Sequence, residues 1–324
     1  MVKLASAEMA EKKLATRAAF GATLAELAEE GAPVVAVDAD LTGSTTTKKF
    51  AAAAPENADK LFNCGIAEQN MIDVAAGLAL TGHVAYTGSF AVFGTGRAYD
   101  QIRNTVCYSN LDVKICPTHA GVSVGPDGGS HQMLEDVSLM RGLPNMRVLV
   151  PADYAAARAA IKLAAKTPGP VYVRMGRAAV PCVYDDDVEL ELGRAYVLRE
   201  GSDATVVACG VEIREALAAA DMLAEDGVSI EVIDAFSVKP LDEDTITASV
   251  AKTGCCVVAE EHSVHGGLGS AVAECLARKN PAPCEFVGVQ DRFGKSGEFE
   301  ELLGYFNLDA AAIVEAVKRA RGRK

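Results

Sequence analysis

One glutamate, Glu68, stands where a carboxyl group could take part in proton transfer. It lies in the motif Gly-Ile-Ala-Glu-Gln-Asn-Met at residues 65–71, at the start of the small and apolar segment Met71–Leu80. That segment predicts a close-packed, buried helix, so Glu68 would lie at a helix N-terminus and partly out of water. Acids are also common in first turns, where they only cap the helix. The spacing therefore leaves two interpretations open, a proton donor and a cap.

Two aromatic residues and two histidines follow Glu68. Phe90 and Phe93 lie in the run TGSFAVF, directly after a predicted strand. His119 and His131 flank a glycine-rich loop in the run THAGVSVGPDGGSHQ. Imidazoles suit proton transfer near neutral pH, and aromatic rings can form an apolar wall. Aromatics at this spacing alone are more often core residues, but the strand exit and the neighbouring glutamate motif favour a ligand site.

Together these motifs resemble those of the thiamine diphosphate enzymes of the transketolase family. GIAEQNM is similar to the family's glutamate motif, TGSFAVF to the segment that holds the aminopyrimidine ring, and THAGVSVGPDGGSHQ to the loop with two active-site histidines. The resemblance covers essentially the whole chain, but only the second half of a full-length transketolase. It implies an α/β fold of two parallel-sheet three-layer domains: a pyrimidine-binding domain at 1–185 and a smaller transketolase C-terminal domain at 186–324.

The resemblance also implies roles for these residues. Glu68 would share a proton with the ring nitrogen and force the aminopyrimidine into its imino form, while Phe90 and Phe93 would fix the ring and exclude water. His131 would lie beside the reacting hydroxyl or carbonyl, and His119 would reach further out towards the substrate phosphate. We therefore expect Glu68, His131 and His119 to be the catalytic residues.

The glycine-rich loop between the two histidines carries a further site residue by resemblance. Asp127 would select the stereochemistry of a substrate hydroxyl. The glycines of the loop would let the backbone fold close over the cofactor; they are Gly121, Gly125, Gly128 and Gly129.

Four other polar residues gain a role only through the resemblance. Arg17 lies in a helix predicted over residues 8–30, where an exposed face is its ordinary place. Asp40 and Ser44 follow a short β-branched run and would otherwise be turn and cap residues. Arg174 ends a predicted strand, where a salt bridge is the ordinary interpretation. The resemblance implies that Arg17, Ser44 and Arg174 bind substrate phosphate and that Asp40 lies near the cofactor.

Strands and helices alternate along the chain, which indicates parallel sheets with crossover helices. The first domain is predicted to have strands at 34–40, 84–90, 112–119, 147–151 and 171–175 and helices at 71–80, 96–110, 135–141 and 154–166. After a lapse over 180–199, the second is predicted to have strands at 204–209, 229–235, 255–260 and 284–289 and helices at 212–226, 244–253 and 269–279. The glycines at 266–269 could be mistaken for a phosphate loop, but this domain carries no cofactor in the family. We interpret the adjacent His262 and His265 as structural.

Charge and cysteine content exclude some classes of function. With 31 basic and 44 acidic residues the net charge is -13, which argues against a nucleic-acid or anionic membrane partner. The nine cysteines show no CxxC pair and no zinc-site spacing, which indicates a reducing compartment and no metal ligands in this chain. The sequence shows no signal peptide and no membrane span, so we expect a cytoplasmic location. The basic run at 318–324 is predicted to be a solvated tail.

The chain lacks the GDG motif that holds the diphosphate and its divalent metal in the family. We therefore expect a separate N-terminal transketolase subunit to carry the diphosphate-binding domain and to hold Mg²⁺ or Ca²⁺. Thiamine diphosphate would bind at the interface, in a heterotetramer with two copies of each chain. The family often has a further aromatic residue where this chain has Gly96, which puts one contact to the pyrimidine in question.

The expected activity is the transfer of a two-carbon ketol unit between a ketose phosphate and an aldose phosphate, as in the pentose phosphate pathway. The nearest alternative is the beta subunit of a 2-oxo-acid dehydrogenase, against which His119, Asp127 and the arginines favour a sugar phosphate. A deoxyxylulose-phosphate synthase is disfavoured by the missing N-terminal half and by His119. A catalytically silent regulatory or scaffolding subunit would not need Glu68, the two phenylalanines or the loop histidines.

Overall fold

A computed structural model describes residues 2–324, which form two large sheets and one small one. The first sheet has seven strands in the order Ser237–Lys239, Arg147–Leu149, Val171–Val173, Val113–Ile115, Val84–Gly88, Val34–Asp38 and Leu61–Asn63. Ser237–Lys239 is antiparallel to Arg147–Leu149, and the other neighbours are parallel. Most of these strands are apolar and buried throughout, as expected of a parallel sheet with helices on both faces.

The second sheet has five strands and repeats this architecture on a smaller scale. Their order is Cys284–Val289, Cys256–Ser263, Ala204–Ala208, Ile230–Asp234 and Tyr196–Arg199. Only Tyr196–Arg199 pairs in the antiparallel sense. The third sheet is a two-stranded antiparallel pair of Lys13–Ala15 with Ala179–Pro181. The predicted fold class of two α/β units with parallel sheets is confirmed, and the boundary at 185 and 186 stays a prediction.

Helices cover both large sheets. The α-helices before residue 186 are Ala7–Ala10, Ala18–Glu29, Thr42–Thr45, Thr47–Ala53, Pro55–Ala58, Glu68–Leu80, Tyr99–Gln101, Asp136–Arg141 and Tyr154–Ala165. Those after it are Glu212–Glu225, Glu243–Thr253, Leu268–Lys279, Phe299–Phe306 and Ala310–Arg321. Two segments, Val92–Arg97 and Ile102–Cys107, are π-helical, and Val122–Asp127 is a 3₁₀ segment. Across residues 2–324 no helix has both the length and the apolar character needed to span a membrane.

The single helix predicted over residues 8–30 is wrong. Leu14 lies in a strand, because its segment pairs with the strand at Ala179–Pro181. The long helix begins only at Ala18, and Arg17 immediately precedes it. Arg17 therefore lies in the short connection between this strand and the helix, instead of on a helix face.

The predicted solvated tail is also wrong for its first half. Lys318 and Arg321 belong to the last helix, Ala310–Arg321. Asp309 is its N-cap, and its side chain accepts a hydrogen bond from the backbone N–H of Ala312. Buried apolar residues alternate with the basic ones, and Ala320 is fully buried. The helical spacing of the alanines and valines before the basic run is the signal for this helix.

The two units pack closely at the glycine-rich loop. A Cβ atom at Gly121 would overlap the carboxyl group of Glu261, and one at Gly129 would lie 2.6 Å from the carbonyl oxygen of Gly294. Because Gly121 and Gly129 have no side chains, the second unit can approach the backbone of this loop closely. The prediction that the glycines of this loop let its backbone fold close over the cofactor stays a prediction.

Candidate active site

Glu68 is the first residue of the helix Glu68–Leu80 and is only 2% exposed. Its Oε2 accepts a hydrogen bond of 2.8 Å from Nη1 of Arg97. Within residues 2–324 no backbone N–H is hydrogen-bonded to this carboxyl group. The geometry therefore favours a functional carboxylate over the helix-cap interpretation.

Four rings form one cluster beside Glu68. The centroids of Phe90 and Phe93 lie 6.2 Å apart with nearly parallel planes. His119 stacks on Phe90 at 3.8 Å, and His131 meets Phe93 edge-on at 5.4 Å. The guanidinium of Arg97 lies 4.6 Å from the centroid of Phe93 and links this ring to Glu68. The structure thus brings together the residues of the glutamate motif, the aromatic segment and the histidine loop.

His119 is a buried, neutral imidazole. Burial lowers the pKa of His119 to about 3, and the nearby charges of Arg17, Arg177 and His131 act in the same direction. Its Nδ1 lies 2.8 Å from the hydroxyl of Thr118. At neutral pH His119 can exchange hydrogen bonds with a substrate but brings no positive charge of its own.

Arg17 and Arg177 line a cavity of about 230 Å³, and both are close enough to His119 to affect its pKa. Nη1 of Arg17 donates a 2.9 Å hydrogen bond to the carbonyl oxygen of Ser44. Burial lowers the pKa of Arg17, and repulsion from Arg177 adds to this effect. Nη1 of Arg177 lies 3.7 Å from Oδ1 of Asp127. The two guanidinium groups could bind an anion. Two carboxyl groups are also close, since Asp127 is near both arginines and Glu298 lines the cavity.

Arg174 does not belong to this cavity. It is 7% exposed, and its Nε donates a 2.7 Å hydrogen bond to Oδ2 of Asp136. Its Nη2 donates to the carbonyl oxygen of Glu261 at 2.9 Å. Burial opposes the charge of Arg174, but Asp136 and Glu261 outweigh it and raise the pKa of Arg174 above its usual value. The expectation that Arg174 binds phosphate is therefore corrected, because its guanidinium is occupied between the two units.

Asp40 lies in the loop that begins at the end of the strand Val34–Asp38. It has a positive φ of 65°, and its backbone N–H donates to Oδ1 of Asn63 at 3.1 Å. Its exposed carboxyl group is near enough to this strand edge to meet a ligand there. The neighbouring Asp38 is buried and shapes the loop by accepting hydrogen bonds from Leu41, Thr45 and Thr47.

Three residues with clear places around the site were not predicted from the sequence: Arg97, Arg177 and Asp38. Arg177 is three residues beyond Arg174 in the same run VRMGR, so the pattern held two candidates and the sequence could not choose between them. Asp38 ends the buried strand as the first acid of Asp-Ala-Asp, which is a detectable signal. Arg97 has none, because its position depends on the π-helical turn of Val92–Arg97.

The site fits the aminopyrimidine half of thiamine diphosphate. A buried carboxyl group and an adjacent aromatic wall are what the ring requires, and Glu68, Phe90 and Phe93 provide them. The part of the chain that the structure describes has no cluster of three or more acidic, histidine or cysteine residues able to hold a metal ion. These residues could therefore hold the ring.

Comparison with known proteins agrees with this site. Residues 12–183 match the family model "Transketolase, pyrimidine binding domain", and residues 193–313 match "Transketolase, C-terminal domain". The chain belongs to the transketolase family. The resemblance inferred from the motifs is confirmed, with the chain spanning the second half of the family's architecture.

Several relatives are similar over nearly their full length. A putative transketolase C-terminal section from Methanocaldococcus jannaschii is 44% identical, with 93% of this chain and 94% of that protein covered. The 6-deoxy-6-sulfo-D-fructose transketolase subunit SqwH of Clostridium sp. (strain MSTE9) is 42% identical, with 93% and 92% covered. The solved structure of a split gene transketolase, described as an inactive beta4 tetramer, matches with a TM-score of 0.87 and 48% identity over 96% of this chain and 99% of that one.

Proposed function

We propose that the chain is the C-terminal subunit of a thiamine diphosphate-dependent transketolase. It would transfer a two-carbon ketol unit between a ketose phosphate and an aldose phosphate, as in the pentose phosphate pathway. The observation that carries this proposal is the buried carboxyl group of Glu68, which Arg97 links to the stacked rings of Phe93 and Phe90.

Glu68 would hold a proton at the ring nitrogen of the aminopyrimidine. Thiamine diphosphate, when bound, supplies an electron sink that stabilises a carbanion. The carboxyl group of Glu68 is excluded from water, so a proton shared with a neighbouring nitrogen is held more strongly than at the surface. Phe90 and Phe93 would keep water out and orient the ring, and Asp40 would lie near the cofactor at the strand edge.

The substrate phosphate would bind between Arg17 and Arg177, with Ser44 beside them. This arrangement is supported by the cavity that the two arginines line and by the hydrogen bond from Arg17 to the backbone of Ser44. Arg177 takes the role that we first expected of Arg174. A bound phosphate would neutralise both arginines, which removes two of the causes that lower the pKa of His119. The two guanidinium groups favour a sugar phosphate over the bare 2-oxo acid of a dehydrogenase.

His131 and His119 would move or hold protons at the substrate hydroxyls. His131 lies against Phe93 at the open side of the ring cluster, where the reacting carbonyl or hydroxyl would be. His119 would hydrogen-bond the substrate as a neutral group. Asp127, which is within 3.7 Å of Arg177, would contact a hydroxyl between the phosphate and the reacting carbon.

The partner would be an N-terminal transketolase subunit that holds the diphosphate with Mg²⁺ or Ca²⁺. Two copies of each chain would form a heterotetramer. The inactive tetramer of beta chains alone, described for the split gene relative, supports the need for a second subunit. The free state of all nine cysteines supports a reducing, cytoplasmic location.

The test is to express the chain with the N-terminal transketolase subunit of the same organism and to purify the complex. We expect ketol transfer from xylulose 5-phosphate to ribose 5-phosphate, dependent on thiamine diphosphate and a divalent metal. We expect no turnover by the chain alone. Tight cofactor binding and full turnover by the isolated chain would disprove the need for a partner, and failure of the complex with every ketose phosphate would disprove the activity.

A further inference from the structure

Arg97 makes two contacts at once in the ring cluster. Its Nη1 donates to Oε2 of Glu68 at 2.8 Å, and its guanidinium lies 4.6 Å from the centroid of Phe93. Among the residues that the structure describes, no other side chain donates a hydrogen bond to Glu68. These are the two contacts that the proposed function requires of the aminopyrimidine: an N–H group at the carboxyl of Glu68 and a planar face against the aromatic wall.

The geometry of the chain around Arg97 is unusual and accounts for its position. Val92–Arg97 is π-helical, and this rare conformation is frequent at functional sites. The wider turn places Arg97, four residues after Phe93, against the same ring. Gly96, where the family often has an aromatic residue, is exposed.

The guanidinium of Arg97 and the aminopyrimidine ring cannot occupy this position at the same time. A guanidinium and an aminopyrimidine are planar groups of similar thickness, and each would need the face of Phe93 and the carboxyl of Glu68. The side chain of Arg97 is 49% exposed, so it has a direct route to solvent.

We propose that Arg97 is a placeholder for the aminopyrimidine ring, and that thiamine diphosphate must displace it to reach Glu68. This inference rests on the proposed function, since it concerns the same pocket. In the absence of cofactor, Arg97 compensates the charge of a buried glutamate. When the cofactor enters, the loss of this ion pair lowers the apparent affinity, because only molecules with Arg97 displaced can bind.

The first test needs no cofactor. We would measure unfolding of the full chain for wild type, Glu68→Gln, Arg97→Gln and the double variant. We expect the effects on the unfolding equilibrium constant to be non-additive, with a coupling factor of about fivefold for this half-exposed pair. Additive effects would show that the two side chains do not interact and would overturn the proposal.

The second test measures thiamine diphosphate binding by calorimetry to the complex of the chain with its N-terminal subunit. We expect Arg97→Gln to bind the cofactor roughly fivefold more tightly than wild type, and Arg97→Lys to fall between the two, since it keeps the charge but not the planar group. Arg103→Gln is the matched control, because Arg103 is an exposed arginine of the adjacent π-helical segment that contacts Asn104. It should leave the affinity unchanged.

The outcomes separate this inference from the proposed function. If wild type binds and Arg97→Gln binds equally or more weakly, the placeholder role is wrong and the proposed function stands. If the wild-type complex binds no thiamine diphosphate, the proposed function fails and this inference fails with it.

Discussion

The two parallel sheets of the molecule use the same edge in opposite ways. In the first sheet the strands Val34–Asp38 and Val84–Gly88 end in an open region where the ring cluster and the arginine-lined cavity lie. In the second sheet the corresponding edge is covered by the first unit, since the backbone N–H of Gly210 donates to the carbonyl oxygen of Val150. Ligands of open α/β sheets bind at the carboxyl ends of strands. Only one of the two edges remains available for this purpose.

The acidic residues at the two edges differ in whether a ligand can reach them. At the covered edge, burial raises the pKa values of Glu212 and Glu261, and it raises the pKa of Asp234 to about 7. Both carboxyl oxygens of Glu212 lack a hydrogen-bond partner in the structure. At the open edge, Glu68 is just as buried but pairs with Arg97, whose side chain is 49% exposed. Burial alone therefore does not identify a catalytic acid, and access to a ligand is the distinguishing feature.

The largest expected effect is the loss of activity on replacing Glu68 at the open edge. Glu68→Gln in the assembled enzyme should reduce kcat by about 10³-fold, the range of a lost proton-transfer group, because the amide cannot take up or release the proton. Steady-state assays of the complex measure this, and circular dichroism checks the fold. Asp73→Asn, an exposed acid on the same helix, is the control. Activity within a few-fold of wild type would remove Glu68 from the mechanism.

The next largest effect is expected at the covered edge, on stability. Arg174→Met leaves Asp136 buried without its ionic partner, and breaking such a pair costs about 3–5 kcal/mol. Denaturant unfolding of the full chain measures the free energy of unfolding. Arg199→Met removes a partly exposed pair with Asp221 and should cost less than about 1 kcal/mol. Equal effects of the two variants would contradict the contrast between a buried pair that the second unit covers and a partly exposed pair.

The architecture could be predicted from the sequence because buried parallel strands appear in it as continuous runs of apolar residues. The sequence also selected Phe90, Phe93 and the two loop histidines as candidates, because their motifs are contiguous, and the structure brings these four rings together. It did not distinguish Arg174 from Arg177, because both follow the same strand and only the packing of the second unit determines which guanidinium is buried. The helix Phe299–Phe306 was missed for a related reason: it is short, and contacts with the glycine-rich loop contribute to its packing.

Arg177, which lines the cavity together with Arg17, provides a further test at the open edge. Arg177→Gln should raise KM for phosphorylated substrates by roughly 10- to 100-fold, since one of two guanidinium groups at the cavity is lost. The KM for an unphosphorylated ketose should change little, and this serves as the internal control. Equal increases for both substrates would mean that Arg177 supports the loop that carries Asp127 instead of binding phosphate.

The smallest expected effect concerns Asp234 and the pH dependence of stability at the covered edge. Its Oδ2 accepts a 2.6 Å hydrogen bond from the hydroxyl of Tyr184, while Oδ1 has no partner. Because burial raises the pKa of Asp234 to about 7 from its usual 3.8, the folded chain binds more protons than the unfolded chain between these pH values. The contribution of Asp234 to stability is therefore present at low pH and is lost as the pH rises through about 7.

Asp234→Asn keeps the acceptor for Tyr184 and has no proton to lose, so the free energy of unfolding of this variant relative to wild type should rise by about 2 kcal/mol between pH 5 and pH 8. Denaturant unfolding at both pH values measures this change, and a constant difference would show that Asp234 is ionised in the fold and that the covered edge admits water.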